Sequence, residues 1–197
     1  EAVKIFEKLI KTGQNQAFYY GEKGWCEINL GLYDEGRKSI RKAIEHDPKC
    51  DRCYSALAIT ELNVGDPKQA FLYAKKAVEA NGNVGFNHYV LAQLYETKGE
   101  IFKALDHYDK AIELEPDKVE YLYSRSLLNI RDSKYSLAIK DLSKAIVLKN
   151  DVSIFYYERG RAYYSLGMLR EAYRDAVSAV NNEPENDGFV VGKGAIE

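Results

Sequence analysis

The sequence predicts an all-α fold, a right-handed superhelix (solenoid) of antiparallel helical hairpins. Two observations predict it. Small residues recur every 34 positions, as at Gly24, Ala58 and Ala92. Glycine or proline returns at the same interval where a helix should end. Each repeat of this size forms one helical hairpin, which can bury its apolar face only by stacking on its neighbours.

Three series of mostly small residues carry the repeat. The first series is Gly24, Ala58, Ala92, Ser126, Gly160 and Gly194. The second is Ala2, Gly36, Ala70, Ala104, Ala138 and Ala172. The third is Leu9, Ala43, Ala77, Ala111, Ala145 and Ala179. Small side chains let two antiparallel backbones approach closely, while bulky neighbours such as Tyr20 and Tyr54 fill the space beside them. The pattern therefore places two packed helices in every repeat.

Helix ends follow the same register. Glycines that can adopt a left-handed conformation stand where the first helix of a repeat should stop. They are Gly31, Gly65, Gly99 and Gly167. Prolines stand where the second helix should end, at Pro48, Pro116 and Pro184. Ser133 interrupts the glycine series, so we expect a looser or differently capped turn there.

These residues resemble the tetratricopeptide repeat family, whose pattern is small, aromatic, alanine and proline at this spacing. The resemblance covers nearly the whole chain and implies one cooperative array of five full repeats with half-repeats at both ends. The full repeats are residues 17–50, 51–84, 85–118, 119–152 and 153–186. Residues 1–16 would be the second helix of an earlier repeat, and residues 187–197 the beginning of a sixth. Because the chain opens within a repeat, we expect it to be a piece of a longer protein.

Two repeats carry charges where the family pattern has an apolar residue between the helices. Arg125 and Arg159 occupy that place, and an aspartate follows sixteen residues later in each case, at Asp141 and Asp175. This offset puts the two side chains opposite each other across one hairpin. We therefore predict two partly buried, bidentate ion pairs with a structural role.

Composition narrows the possible functions. The 197 residues are 46% hydrophobic and 29% charged, with a net charge of −2 and a pI near 6.0. A nucleic-acid partner is disfavoured, because that class needs a basic field. No stretch is long and apolar enough to enter a membrane as a spanning helix, and no export signal is present. With only three cysteines, we expect a cytoplasmic protein, provided that no signal was removed from its N-terminus.

The sequence offers little for catalysis or metal binding. It has no Gly-rich phosphate loop and none of the common hydrolase or metalloprotease motifs. The three histidines lie far apart. His46, Cys50 and Cys53 offer three nominal zinc ligands, and the two cysteines also form a Cys-x-x-Cys motif. We favour a simpler interpretation, in which Cys53 packs inward as a small hydrophobe and Cys50 lies at the surface. We therefore predict a non-enzyme without cofactor or metal.

The predicted binding surface is the concave side of the superhelix, which is lined by the first helix of each repeat. Its residues are unusually apolar and aromatic, and exposed patches of this kind mark interaction sites. The predicted site comprises Phe18, Trp25, Asn29, Ile59, Asn63, Phe86, Tyr89, Val90, Gln93, Tyr123, Leu127, Arg131, Tyr157 and Arg161. Asn29 and Asn63 either bond the backbone of an extended ligand or complete their own helix ends.

The sequence thus predicts a scaffold that holds a protein or peptide through an apolar or aromatic segment. The lysine and asparagine clamp with which some members of the family hold chaperone tails is absent, because its places carry Gly21, Trp25, Ala56, Phe86 and Val90. Two alternatives stay open. The chain could assemble with copies of itself through its open ends, where the apolar helix beginning at Phe189 lacks a partner. It could also be the targeting or regulatory domain of a larger enzyme.

Overall fold

A computed structural model describes residues 1–184, Asn186 and Gly188. The described residues form eleven α-helices and no strand. The helices are α1 Ala2–Ile10, α2 Gln16–Asn29, α3 Tyr33–His46, α4 Asp51–Val64, α5 Pro67–Ala80, α6 Gly85–Thr97, α7 Ile101–Leu114, α8 Val119–Arg131, α9 Tyr135–Leu148, α10 Ser153–Ser165 and α11 Leu169–Asn182. The prediction of an all-α chain of helical hairpins is confirmed.

Small residues lie where the two helices of each hairpin approach most closely. Gly24 and Gly160 are buried, and Ala58 and Ala92 have no exposed surface. A Cβ atom added at Gly24 would lie 2.7 Å from Cγ1 of Ile40 on the partner helix. The predicted register of the repeats is therefore confirmed, because a shift of one residue would have moved these positions out of the contact.

Left-handed residues end the first helix of each full repeat. Gly31, Gly65, Gly99 and Gly167 all have φ between 73° and 87°. Ser133 takes the same conformation, with φ 57°. Its turn also keeps the hydrogen bonds of the glycine turns, since the Lys134 amide donates to the Asn129 carbonyl at 2.8 Å. The expectation of a looser or differently capped turn is wrong, because the serine accepts the strained conformation instead.

Both predicted ion pairs are present and bidentate. The Nε and Nη2 atoms of Arg125 donate to Asp141 at 2.8 and 2.6 Å, and those of Arg159 donate to Asp175 at 2.7 and 2.8 Å. The same two places in the first repeat hold Lys23 and Ser39, which are 3.4 Å apart. One cross-hairpin position therefore carries polar pairs in three repeats.

The turns between repeats share another contact. The hydroxyl groups of Tyr54 and Tyr156 donate to the carbonyls of Pro48 and Asn150, both at 3.1 Å. In the third repeat His88 stands at this place, and its Nε2 lies 3.0 Å from the Gly82 carbonyl. Each of these side chains ties the start of a first helix to the turn that precedes it.

The chain divides into two compact units, Glu1–Leu114 and Glu115–Glu197. In the first unit, one cluster of buried residues includes Ile40, Ala43 and Leu57, and a second includes Ala74 and Leu94. The predicted sixth repeat, residues 187–197, lies outside the described residues apart from Gly188, and so does the apolar segment at Phe189.

Candidate functional site

Aromatic rings from the first unit form a continuous surface on its first helices. Trp25 on α2 contacts Phe86 on α6 edge to face, with ring centroids 6.2 Å apart. Phe86 lies 6.3 Å from Tyr89, whose ring is 6.0 Å from Tyr108. Because α4 packs against both α2 and α6, the contact between Trp25 and Phe86 links the first and third repeats beside the second. We call Trp25, Phe86 and Tyr89 the aromatic strip.

A cavity of about 370 Å³ opens beside Trp25. It lies between the start of α2, the start of α4 and the turn before α4. Its lining residues are Asn15, Ala17, Phe18, Gly21, Glu22, Trp25, Ile40, Asp47, Lys49, Cys50, Asp51, Arg52, Cys53 and Ala56. The apolar side chains and the glycine make a mainly apolar wall, and the charged residues add polar groups around it. Concave apolar sites with a few polar groups are typical of ligand binding.

Charged residues at this cavity are held in place by partners. Arg52 forms an ion pair with Glu22 and lies over the Trp25 ring, with its guanidinium carbon 6.0 Å from the ring centroid. Asp51 accepts a hydrogen bond of 2.8 Å from the side-chain amide of Asn87. Asn87 is fully buried and also bonds Ser55. Buried Asn87 therefore fixes the position of Asp51 at the rim of the cavity.

The predicted site residues of the first unit differ in exposure. Phe18 is the most accessible aromatic among them, at 59%. Asn29 and Asn63 are exposed, and Trp25, Ile59, Phe86, Tyr89 and Gln93 are half-buried. Val90 is only 2% exposed and belongs to the core. Its predicted place on the accessible surface is wrong, because the side chain points into the contact with the second repeat.

The second unit has its own group of predicted residues. Tyr123 on α8 contacts Phe155 on α10, with centroids 5.4 Å apart. Glu158 is almost fully buried and accepts a hydrogen bond of 2.8 Å from Arg161. Burial raises the pKa of the Glu158 carboxyl, and Arg161 opposes this effect. Burial, with the Glu158 charge nearby, also raises the pKa of Tyr123.

The other predicted residues of this unit also lie on α8 and α10. Arg161 is exposed and lies over the Tyr157 ring, 5.8 Å from its centroid. Leu127 is half-buried and Arg131 is exposed. The second unit therefore presents a more polar and charged set of residues than the aromatic strip of the first.

Comparison with known proteins agrees with the hairpin geometry. The family profile described as Tetratricopeptide repeat matches residues 19–50 and, in a second form, residues 85–118. These matches coincide with the hairpins α2–α3 and α6–α7. The chain contains tetratricopeptide repeats. Repeats of this family are typical of protein-interaction scaffolds without catalytic activity.

Two similar proteins are much longer than this chain. It is 26% identical over 202 residues to TPR repeat-containing protein MJ1428 of Methanocaldococcus jannaschii. This alignment covers 94% of this chain and 34% of that protein. It is 34% identical over 100 residues to serine/threonine-protein phosphatase 5 of Homo sapiens, covering 51% of this chain and 19% of the phosphatase. The chain thus spans about a third of the first and a fifth of the second.

Among solved structures, the tetratricopeptide repeat protein YrrB superposes with a TM-score of 0.75 at 17% identity. The match covers 96% of this chain and 97% of YrrB, whose structure is described as having an unusual peptide-binding site. At this identity the similarity establishes the shared fold of helical repeats.

Cysteine chemistry is where the sequence prediction fails. Cys50 and Cys53 are joined in a disulfide, and Cys26 is a free thiol. Cys53 does pack inward, at 2% exposure, but it is not a free small hydrophobe. Because both sulfurs belong to the disulfide, neither is a thiolate ligand in this state. His46 instead stacks on Tyr20, with centroids 5.8 Å apart.

Neither a membrane-spanning helix nor a cluster of metal ligands is found among the described residues. No helix among them is long and apolar enough to cross a bilayer. Within the same residues, no group of three or more histidine, cysteine, aspartate or glutamate side chains is arranged to hold a metal ion.

Proposed function

We propose that this tetratricopeptide repeat chain is a scaffold that docks a partner protein through an apolar or aromatic segment. In the first unit, the segment lies along the aromatic strip and places one apolar side chain in the cavity beside Trp25. The contact between Trp25 and Phe86 carries the proposal, because it makes one surface from the first and third repeats. A ligand that touches several repeats gains affinity from each of them without a deep pocket.

The character of the cavity favours such a partner. Its wall is formed largely by Phe18, Trp25, Ile40 and Ala56. An apolar side chain of the partner that enters the cavity is therefore removed from water, which favours binding through the hydrophobic effect. Glu22 and Arg52 neutralise each other at the rim. With Asp47, Lys49 and Asp51 included, the lining carries a net charge of only −1, which gives little reason to prefer a strongly acidic or strongly basic segment.

Selection from a random peptide display library, followed by calorimetric titration, tests the proposal. We expect the selected peptides to be rich in aromatic and large aliphatic residues. Trp25→Ala should weaken their binding by about 2 kcal/mol or more, as loss of a central ring does at interfaces. Because Trp25 also packs against the core cluster that contains Ile40, the titration is done at a temperature at which circular dichroism shows the variant to be fully folded.

Tyr164→Ala serves as the matched control, because Tyr164 is an exposed aromatic residue at the end of α10 in the second unit. This variant should bind the selected peptides like the unmodified protein. Peptides that bind the Trp25 variant with full affinity would show that the aromatic strip is not the docking surface.

A second candidate function is supported by the match to serine/threonine-protein phosphatase 5, an enzyme of which this repeat segment would correspond to about a fifth. The repeats would then target or regulate a catalytic domain on the same chain. Reading the coding sequence on both sides of this segment tests the idea. A complete reading frame without a catalytic domain would eliminate it.

A further inference from the structure

The Cys50–Cys53 disulfide occupies an unusual place for a structural crosslink. Only three positions separate its cysteines, so it closes a very short loop and restricts the unfolded chain much less than a long crosslink does. Cys50 is the N-cap residue of α4, and Cys53 lies in the first turn of that helix. The pair is therefore positioned at a helix start and contributes little by holding distant segments together.

The two sulfurs differ in their surroundings. Cys50 is half-buried, and its Sγ accepts a hydrogen bond of 3.2 Å from the Cys53 amide. Cys53 is 2% exposed and packs in the core cluster with Ile40 and Ala43. A thiolate on Cys50 would retain that amide donor and the positive end of the helix dipole, both of which favour the charged form.

The disulfide also lines the cavity beside Trp25. Gly21 also lines this cavity and lies beside Cys53. A Cβ atom at Gly21 would lie 3.7 Å from Sγ of Cys53, in ordinary van der Waals contact. Because Cys50 is only half-buried whereas Cys53 is 2% exposed, a thiol in the cavity would meet the disulfide at Cys50.

We propose that Cys50–Cys53 is a thiol–disulfide exchange site that opens on this cavity. Cys50 is the sulfur that exchanges with external thiols. Cys53 is the buried sulfur that leaves during reduction and, in the reverse reaction, attacks the mixed disulfide on Cys50. The substrates are thiols small or extended enough to enter, such as a low-molecular-weight thiol.

The electron balance is that of two-step exchange. A thiolate attacks Sγ of Cys50 and forms a mixed disulfide, while the bond to Cys53 breaks and Cys53 leaves as a thiolate that takes a proton from water. A second thiolate then attacks the outer sulfur of the mixed disulfide and releases Cys50. Two external thiols are oxidised to one disulfide, and the protein disulfide is reduced to two thiols. The reverse sequence oxidises the protein.

Glutathione is the probe for the test, with Cys26→Ser as the background so that the only other thiol is removed. The protein is equilibrated in buffers with different ratios of reduced to oxidised glutathione, alkylated with iodoacetamide and weighed by mass spectrometry. We expect a reversible transition between no and two alkylated cysteines, with an unchanged helical circular dichroism spectrum. Cysteines that stay reduced in oxidised glutathione, or a disulfide that opens only in denaturant, would overturn the proposal.

Single variants identify the exchanging sulfur. In Cys53→Ser, Cys50 should form a mixed disulfide with oxidised glutathione at least about tenfold faster than Cys53 does in Cys50→Ser, because accessible thiolates dominate this reaction. Equal rates would contradict the assigned roles.

A measurement on the unmodified pair covers the case in which a variant fails to fold. The mixed disulfide formed during reduction by excess glutathione is quenched with acid and located by peptide mapping. It should lie on Cys50, and its presence on Cys53 would exclude the proposed mechanism. Neither experiment depends on peptide docking, so either proposal can fail while the other stands.

Discussion

His88 and His107 form a hydrogen-bonded pair in the first unit, and their chemistry is set by one carbonyl. The Gly82 carbonyl can only accept, so Nε2 of His88 donates to it at 3.0 Å. In the neutral ring, Nδ1 of His88 is then an acceptor, and Nδ1 of His107 donates to it at 2.9 Å. Tyr95 stacks on the other side of His107, with centroids 5.4 Å apart.

This arrangement predicts a pH-dependent stability. Burial, and then the neighbouring His88, lower the pKa of His107, while Asp106 weakly opposes them. The unfolded chain therefore binds a proton more readily than the folded one. The contribution to the free energy of unfolding is complete above the ordinary histidine pKa of about 6.5 and is lost as the pH falls through the lower folded value. Urea unfolding at pH 7.5 and at pH 5 measures it.

His107→Gln is the comparison for that measurement. The variant should be less stable than the unmodified protein at pH 7.5, and the difference between the two should shrink toward pH 5. A constant difference across this range would show that His107 does not titrate on unfolding.

Two glycines of α2 predict opposite effects of the same substitution. A Cβ atom at Gly21 would meet Cys53 Sγ at 3.7 Å and Ala43 Cβ at 3.9 Å, which are ordinary contacts. At Gly24 it would lie 2.7 Å from Ile40 Cγ1 and 3.0 Å from the Gly36 carbonyl. Gly21→Ala should stabilise the protein by about 0.5–1 kcal/mol, the usual gain in a helix interior. Gly24→Ala should destabilise it by about 1–3 kcal/mol through overpacking.

Chemical denaturation of the two variants side by side measures the difference. Because both residues lie on one helix and receive the same methyl group, helix propensity cancels in the comparison. If Gly24→Ala proved as stable as Gly21→Ala, the result would contradict the close packing of α2 against α3 at Gly24.

At the scale of single elements, the turn between α8 and α9 stores strain that its counterparts avoid. Ser133 has φ 57°, where a residue with a Cβ atom is strained by about 1 kcal/mol. Ser133→Gly should therefore raise the free energy of unfolding by about that amount, and its melting temperature should rise. Gly167→Ser, at φ 73° in the next repeat, should lower the free energy of unfolding by a similar amount. Equal melting temperatures for both variants and the parent would contradict this account.

The sequence predicted those elements that depend on local spacing. The helix register follows from small residues such as Gly24 and Ala92, because close helix packing tolerates nothing larger. The pairs of Arg125 and Arg159 follow from a fixed offset within one hairpin. The disulfide was missed, since it depends on the conformation of a turn. Val90 was wrongly predicted to lie on the accessible surface. The neighbouring repeat covers part of each first helix, so fewer of its residues are exposed than the helical period alone predicts.

At the scale of the whole molecule, each repeat depends mainly on its neighbours, and ion pairs provide a test. Arg37 on α3 donates to Glu61 on α4 at 3.0 and 2.8 Å and so joins the first two repeats. Arg159 joins α10 to Asp175 on α11. Each acid is almost fully buried, so removal of its arginine leaves an unpaired charge. Allowing for partial exposure of the arginines, the cost should be about 2–3 kcal/mol.

Hydrogen–deuterium exchange of Arg37→Ala and Arg159→Ala shows where that cost falls. Arg37→Ala should accelerate exchange in α2 to α5, and Arg159→Ala in α10 and α11, each within its own unit. Uniform acceleration along the whole chain in either variant would instead indicate a single cooperative unfolding unit.

The cavity wall contains the only tryptophan of the chain, Trp25. Excitation of the protein at the red edge of the indole band therefore reports on one place alone, without labels and without background from other tryptophans. A ligand that covers the ring should move its emission toward the blue, and opening of the neighbouring disulfide should change its intensity, because disulfides quench excited indoles. The spectrum of the unmodified protein thus distinguishes an occupied cavity from a reduced one.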